Sequence, residues 1–293
     1  MFNLKEYIKE KRPNLSESSI TTYNSILKNL YKKVFGKEEI EPKDFDNSDK
    51  VIAFIKDIPP NKRKSILSSL VIITDKKAYR DLMLEDISSY REEIAKQEKS
   101  DSQEEGWVSK EEIETLWNSL KRNADLLYKK ETISPADLQQ IQNFVLLSVC
   151  GGILSKPRRS KDWTAFKIKN VDKSKDNFME KGVFHFNNYK TAKFYGEQTE
   201  PISKELKSIL TKWLKVNPTE YLFFDTNGSP LSSVKLNQRF NKMFGSKTSV
   251  NIFRHSYLST KYADTIGQNK KMADDLRSMG SSMSQATTYI KKD

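Results

Sequence analysis

Between Lys96 and Trp107 the chain reads KQEKSDSQEEGW. This stretch is charged and Ser-rich, and it has almost no apolar side chains. No single hydrophobic core can run through such a segment, so it constrains the fold more than any other feature. It divides the 293 residues into a block at 1–98, a linker at 99–107 and a block at 108–293. Each block is large enough for its own core.

The first block has helical periodicity throughout. NLSESSITTYNSILKNLYKKVFG offers Asn14 or Ser16 as a cap and sets Ile20, Tyr23, Ile26, Leu27, Leu30 and Tyr31 on one face. It stops at Gly36. SDKVIAFIKDI predicts a second helix that ends at Pro59-Pro60, and two more follow before residue 98. The second block opens with a capping box, Ser109 with Glu112, and continues into the apolar helix SPADLQQIQNFVLLSVCGGI. The period then changes. AFKIKNVD, residues 165–172, alternates and predicts a strand. GVFHFNNYKTAKFYGEQTEPIS predicts two strands joined at TAKFYG, and helices return from Lys204. The expected fold class is mostly α with a small antiparallel β-sheet: a helical domain followed by an α+β domain.

The inventory narrows the chemistry. With two histidines, His185 and His255, and one cysteine, Cys150, no Cys/His zinc cluster can be built and no internal disulfide can form. HExxH, GxGxxG and GxxxxGK[ST] are all missing. A net charge of +12 points to a polyanion, nucleic acid before membrane, although a lysine-rich proteome gives the same excess. No apolar run has the length of a membrane span or of a signal peptide's core, so an intracellular protein is expected.

Four stretches could carry chemistry. KPRRSKDW places Arg158 and Arg159 after a buried helix, where they could grip a phosphate or pair locally with Asp162. NNYKTAKFYGE places Lys190 and Lys193 on a hairpin, as a proton donor and a groove contact, or as charges that protect an edge strand. SVNIFRHSYLSTKYAD sends Arg254 and His255 into a half-apolar helix, where the charge needs a phosphate or an internal carboxylate. LRSMGSSMSQATTYIKK carries Gly280, a cluster of serines and Tyr289, either a surface tyrosine or a nucleophile. Taken together, Arg, Lys, Arg-His and a late Tyr suit phosphodiester chemistry. Guanidinium groups would neutralise the phosphate, a tyrosine would attack phosphorus and a lysine would protonate the leaving oxygen.

In that order these residues resemble the tyrosine recombinase/integrase family. SESSITTYNSILKNLY is similar to the opening helix of its core-binding domain, and WVSKEEIETL to the entry into its catalytic domain. KPRRSKDW resembles the first-arginine motif of virus- and transposon-encoded members. The resemblance implies a helical core-binding domain at 1–98 and a catalytic domain at 108–293 that form a clamp on double-stranded DNA. It implies Tyr289 as nucleophile and Arg159, Lys190 and Arg254 as catalytic residues, with Asp162 at the acidic position of the arginine motif. It implies no cofactor and no metal. A homo-tetramer on paired sites is expected, in the cytoplasm or nucleus of a host cell. Arg158, His255 and Lys193 are expected to bind substrate.

Two positions depart from the family. Asn251 stands where His usually opens the HxxR box, and Ser281 where His or Trp usually follows the Met-Gly pair. Both can donate hydrogen bonds, but neither is an acid or base near neutral pH. The resemblance therefore implies an active but slow enzyme with Lys190 as its main acid. Topoisomerase IB-like relaxation and a degenerate DNA-binding protein are the alternatives.

Overall fold

The computed structural model describes residues 2–286, and the chain divides into two compact units, Met1–Glu98 and Lys99–Asp293. The first unit is helical: α1 (Leu4–Lys11), α2 (Glu17–Phe35), a 3₁₀ turn at Pro42–Asp46, α3 (Ser48–Ile55), α4 (Pro60–Thr74) and α5 (Lys77–Ala95). Ser16 caps α2 by accepting the Ser19 N–H, and Gly36 ends it at a φ of 70°, a backbone shape that a Cβ would strain. Ile8, Leu27, Tyr31, Phe45, Leu67 and Tyr79 form the sealed core. One ion pair lies inside it. Arg63 donates from Nε and Nη2 to both oxygens of the buried Asp86, at 2.9 and 2.6 Å, and from Nη1 to the Lys56 carbonyl at 2.6 Å.

The second unit begins inside the stretch read as a linker. Residues 101–106 form α6 (Asp101–Gly106), closed at its start by a capping box of Ser100 with Gln103. Gly106 explains why the segment is held. The Lys247 carbonyl would lie 2.6 Å from any Cβ there, and the Thr248 hydroxyl donates to the Gly106 carbonyl at 2.8 Å. Polar composition described this segment's surface correctly but concealed a backbone contact that only glycine permits.

α7 (Lys110–Leu127) starts at the Ser109–Glu112 capping box, and α8 (Pro135–Cys150) is the central apolar helix. α9 (Ser160–Trp163) is a single turn. The strands are β1 (Phe178–Glu180), β2 (Val183–Phe186) and β3 (Gln198–Pro201), with α10 (Ala192–Tyr195) in the connection between β2 and β3. They form an antiparallel sheet in the order β1-β2-β3, with His185 opposite Phe178 and Thr199. α11 (Lys204–Val216), α12 (Ser233–Phe244) and α13 (Val250–Ser278) follow, then a 3₁₀ turn at Met283–Gln285.

The strand expected at 165–172 does not form. Ala165 and Asn170 both adopt positive φ, 56° and 52°, and Lys167 makes only isolated bridges to Phe178 and Tyr221. Phe178–Glu180 supplies the edge strand instead. Alternation in AFKIKNVD reflects Phe166 packing beside Trp163, Phe184 and Phe186 rather than a ladder. Among the described residues no helix is long and apolar enough to cross a membrane.

Candidate active site

The site is built where α8 ends. After Cys150 the chain turns through Pro157 to Arg158, and Arg159 caps α9 with an extended backbone. α9 lasts one turn because Trp163 is drawn into the aromatic core against Phe184 and Phe186. That anchor buries the neighbouring Asp162, which is 3% exposed.

The two adjacent arginines have different fates. Arg158 donates from Nε to Asp162 Oδ2 at 2.9 Å and from Nη2 to Gln198 Oε1 at 3.0 Å, and it lies over the Phe186 ring at 3.8 Å. It ties α9 to the sheet. Arg159 is exposed and faces a cleft of ≈ 320 Å³ that Arg158, Asp162, Tyr189, Gln198 and Arg254 also line. Arg254 enters from the first turns of α13, half-buried, with Nη1 donating to Asn251 Oδ1 at 3.2 Å.

Charge in the cleft is unbalanced. Burial pushes the Asp162 carboxyl up, against the pull of Arg158, Arg159 and Arg254. Its Oδ1 is buried and has no hydrogen-bond partner among the described residues. The Arg254 guanidinium is pushed down, first by its own burial and then by repulsion from Arg159. Arg158, Arg159, Arg254 and Lys156 outnumber the two carboxylates that line the same cleft, Asp162 and Glu200, and leave a net positive hole, which an anion with several oxygens would fill.

The remaining expected residues scatter around this hole. Lys190 is exposed in the β2–β3 connection, between Tyr189 and Thr191, which both line the cleft. The Tyr189 hydroxyl donates to the Gly196 carbonyl at 2.8 Å and closes that loop. Lys193 is exposed on α10, next to the exposed Phe194 and Tyr195. His255 follows Arg254, but the helix turns it away, and its Nε2 lies 3.3 Å from Gln103 Nε2 on α6. Ser281 is not brought to the cleft by its own chain: its N–H donates to the Leu276 carbonyl at 2.7 Å, at the far end of α13. Tyr289 lies outside the described residues.

Sequence reasoning missed Gln198, which holds Arg158, and Glu200, whose Oε1 accepts from the Lys156 N–H at 3.4 Å. Both sit on β3, and only the pairing of β3 with β2 brings them across to the arginine motif.

No protein-family model and no curated protein matches the chain. Solved structures do. A lambda integrase dimer bound to a COC′ core site superposes with a TM-score of 0.50 at 15% identity, covering 91% of this chain and 71% of that one. A lambda integrase(75–356) dimer bound to a COC′ core site superposes at 0.50 and 14% identity, covering 92% and 94%. The fold is that of a tyrosine recombinase. The likeness spans both units and is one of fold; the cleft chemistry rests on the residues described above.

Proposed function

We propose that the chain is a site-specific DNA recombinase, an integrase of a mobile element or virus, which cleaves and rejoins double-stranded DNA through a 3′-phosphotyrosyl bond. The observation that carries this is the cleft itself. Exposed Arg159 and half-buried Arg254 converge there over a buried carboxylate that cannot neutralise both.

A phosphodiester bound there places its two non-bridging oxygens against the guanidinium groups of Arg159 and Arg254, which then offset the charge of the pentacoordinate transition state. Asp162 holds Arg158, and Arg158 in turn holds α9 against the sheet, so the cap position of Arg159 is set by a buried pair. Asn251 orients Arg254 through one hydrogen bond and contributes no proton. The Tyr289 oxygen attacks phosphorus and releases its proton to solvent, a Tyr–O–P bond forms and the P–O5′ bond breaks. Lys190, on its loop at the cleft edge, gives a proton to the departing 5′ oxygen. The reverse steps with a new 5′ hydroxyl reseal the strand. Exposed Lys193 is assigned to the DNA backbone, whereas Arg158 is spent on Asp162 and Gln198 as a brace and His255 faces Gln103, so neither is assigned to DNA. Exchange between two duplexes implies a tetramer on paired sites.

A suicide duplex, nicked beside the cleavage point and drawn from a pool of candidate sites, tests this reading. Wild type is expected to give a covalent protein–DNA band on a denaturing gel, and Tyr289→Phe none, with DNA binding intact in both. Binding without any covalent band would leave only the DNA-binding reading standing. A band from every site, with relaxation of supercoils, would indicate the topoisomerase instead.

A further inference from the structure

Phe194 is the most exposed large apolar side chain among the described residues, at 84%, and its neighbour Tyr195 is 69% exposed. Both stand on α10, in the connection between β2 and β3. Two adjacent aromatic rings left in water forgo the burial that a core would give them. Single apolar side chains on a surface need no explanation, but this pair is held out by a built loop.

That loop is braced on each side. The Thr191 carbonyl accepts from the Phe194 and Tyr195 N–H groups at 3.0 and 3.3 Å, and the Ala192 carbonyl from the Gly196 N–H at 2.9 Å. The buried Tyr189 donates its hydroxyl to the Gly196 carbonyl at 2.8 Å, and Ala192 packs against the core of the unit. Gly196 ends the turn at a φ of 64° and a ψ of −155°, a backbone shape that is essentially glycine's alone. The backbone that presents the two rings is therefore fixed.

The surroundings of the pair select its occupant. Lys190 and Lys193 are exposed on the same loop, and no carboxylate lies between Asn187 and Gly196. The next one, Glu197, is engaged by His185, with Oε1 2.8 Å from Nδ1. A partner must offer flat apolar faces and negative charge together. Stacked bases flanked by phosphates do so. Tyr195 also lines the cleft of Arg158, Arg159 and Arg254, so a base that meets the pair lies next to a phosphate in that cleft.

We propose that α10 is a wedge: Phe194 enters the base stack of a bound duplex, and Tyr195 stacks on the base so displaced, beside the phosphate held by Arg159 and Arg254. An apolar side chain inserted between base steps partly unstacks and kinks a duplex. Flexible pyrimidine–purine steps yield to it most easily, so the chain selects its position on DNA partly by deformability. That the unstacked step adjoins the scissile phosphate rests on the recombinase reading; the insertion itself rests only on DNA binding.

2-Aminopurine, whose fluorescence rises when it leaves the stack, tests the wedge without reference to cleavage. A mixed-sequence duplex pool carrying it in place of adenine is titrated with the full chain. Wild type is expected to raise the fluorescence of the bound duplex several-fold. So little of Phe194 is covered that Phe194→Ala should keep the fold, lose the rise and bind about tenfold more weakly, the usual effect of one lost base stack. Its salt dependence should be unchanged, because a phenyl ring releases no counterion. Lys193→Ala should do the converse, keeping the rise while the slope of log K against log salt falls by about one. Phe194→Trp, which keeps a flat ring, should restore the signal. A duplex with one central mismatch, where pairing is already broken, should bind wild type several-fold tighter than the matched duplex, and Phe194→Ala no tighter. No rise with wild type bound, or a rise that survives in Phe194→Ala, would overturn the wedge and leave the pair to another partner. On a duplex that wild type cleaves, the brightened base should flank the cleaved phosphate; brightening only at remote positions would overturn the placement. Unstacking without any covalent band would end the recombinase reading and leave the wedge standing, and cleavage without unstacking would do the reverse.

Discussion

Each unit contains an arginine bonded to a buried aspartate, and the two pairs are built differently. In the helical unit, Arg63 satisfies both oxygens of Asp86 and gives its remaining amino group to the Lys56 carbonyl. Both carboxylate oxygens are met, and the Arg63 guanidinium is pushed up, first by its hydrogen bond to Asp86. In the second unit, Arg158 satisfies one oxygen of Asp162. The other oxygen has no partner among the described residues, and two more arginines crowd the same carboxylate. A closed pair is scaffold, because any added ligand would have to break it. An open one with surplus positive charge is a site, because an anion completes it.

This contrast can be broken or sharpened by mutation. The largest effect on stability is expected from Asp86→Ala, which leaves the half-buried Arg63 guanidinium without its carboxylate and should destabilise the helical unit by about 3 kcal/mol. Denaturant unfolding followed with a probe in residues 1–98 would measure it, and an unchanged midpoint would contradict the scaffold role. Arg159→Ala should leave stability nearly unchanged while lowering covalent-complex formation about 10²- to 10³-fold, the usual effect of losing one charge-stabilising donor. If stability fell and cleavage did not, the two pairs would have exchanged roles.

Asp162→Asn is expected to have a smaller effect, visible in pH dependence. The folded carboxyl titrates above its unfolded value because of burial, so the folded state holds its proton to higher pH than the unfolded chain. The stability it contributes is full below the unfolded pKa and is lost as pH rises through the folded one. The asparagine variant should flatten that fall. Asp137 gives the opposite sign and the smallest change. Its carboxylate is held at about 2, first by the Lys130 ammonium and then by Ser134. Its contribution is present above the ordinary carboxylate range and is lost as pH falls from about 4 toward about 2. Asp137→Asn should remove that acid limb, measured as the slope of the midpoint against pH.

Much of the fold was legible because local rules suffice for helices. Ser16, Gly36 and Ser109 with Glu112 mark ends that the structure places at the same residues, whereas α3 stops at Ile55, short of Pro59, and Pro60 opens α4 instead. β-pairing was less legible. Alternation at 165–172 looked like a strand, yet the edge strand is Phe178–Glu180, since pairing depends on partners remote in sequence. The 99–107 stretch holds α6, which was not legible for a related reason: its polar surface says nothing about the backbone of Gly106 pressed against Lys247.

The candidate site divides along the same line. Composition, charge and motif order determined which residue types are present for phosphodiester chemistry, and that no zinc cluster of Cys and His can assist them. These are properties of an inventory. Tertiary structure alone decided that Arg158 is an internal brace while Arg159 faces the cleft, that His255 turns toward Gln103, and that Gln198 belongs to the arginine motif. It also decided that an unbroken α13 carries Ser281 away from Arg254. The physical reason is that a guanidinium's role depends on which oxygens lie within about 3 Å of it, and neighbours in space are set by packing rather than by position along the chain.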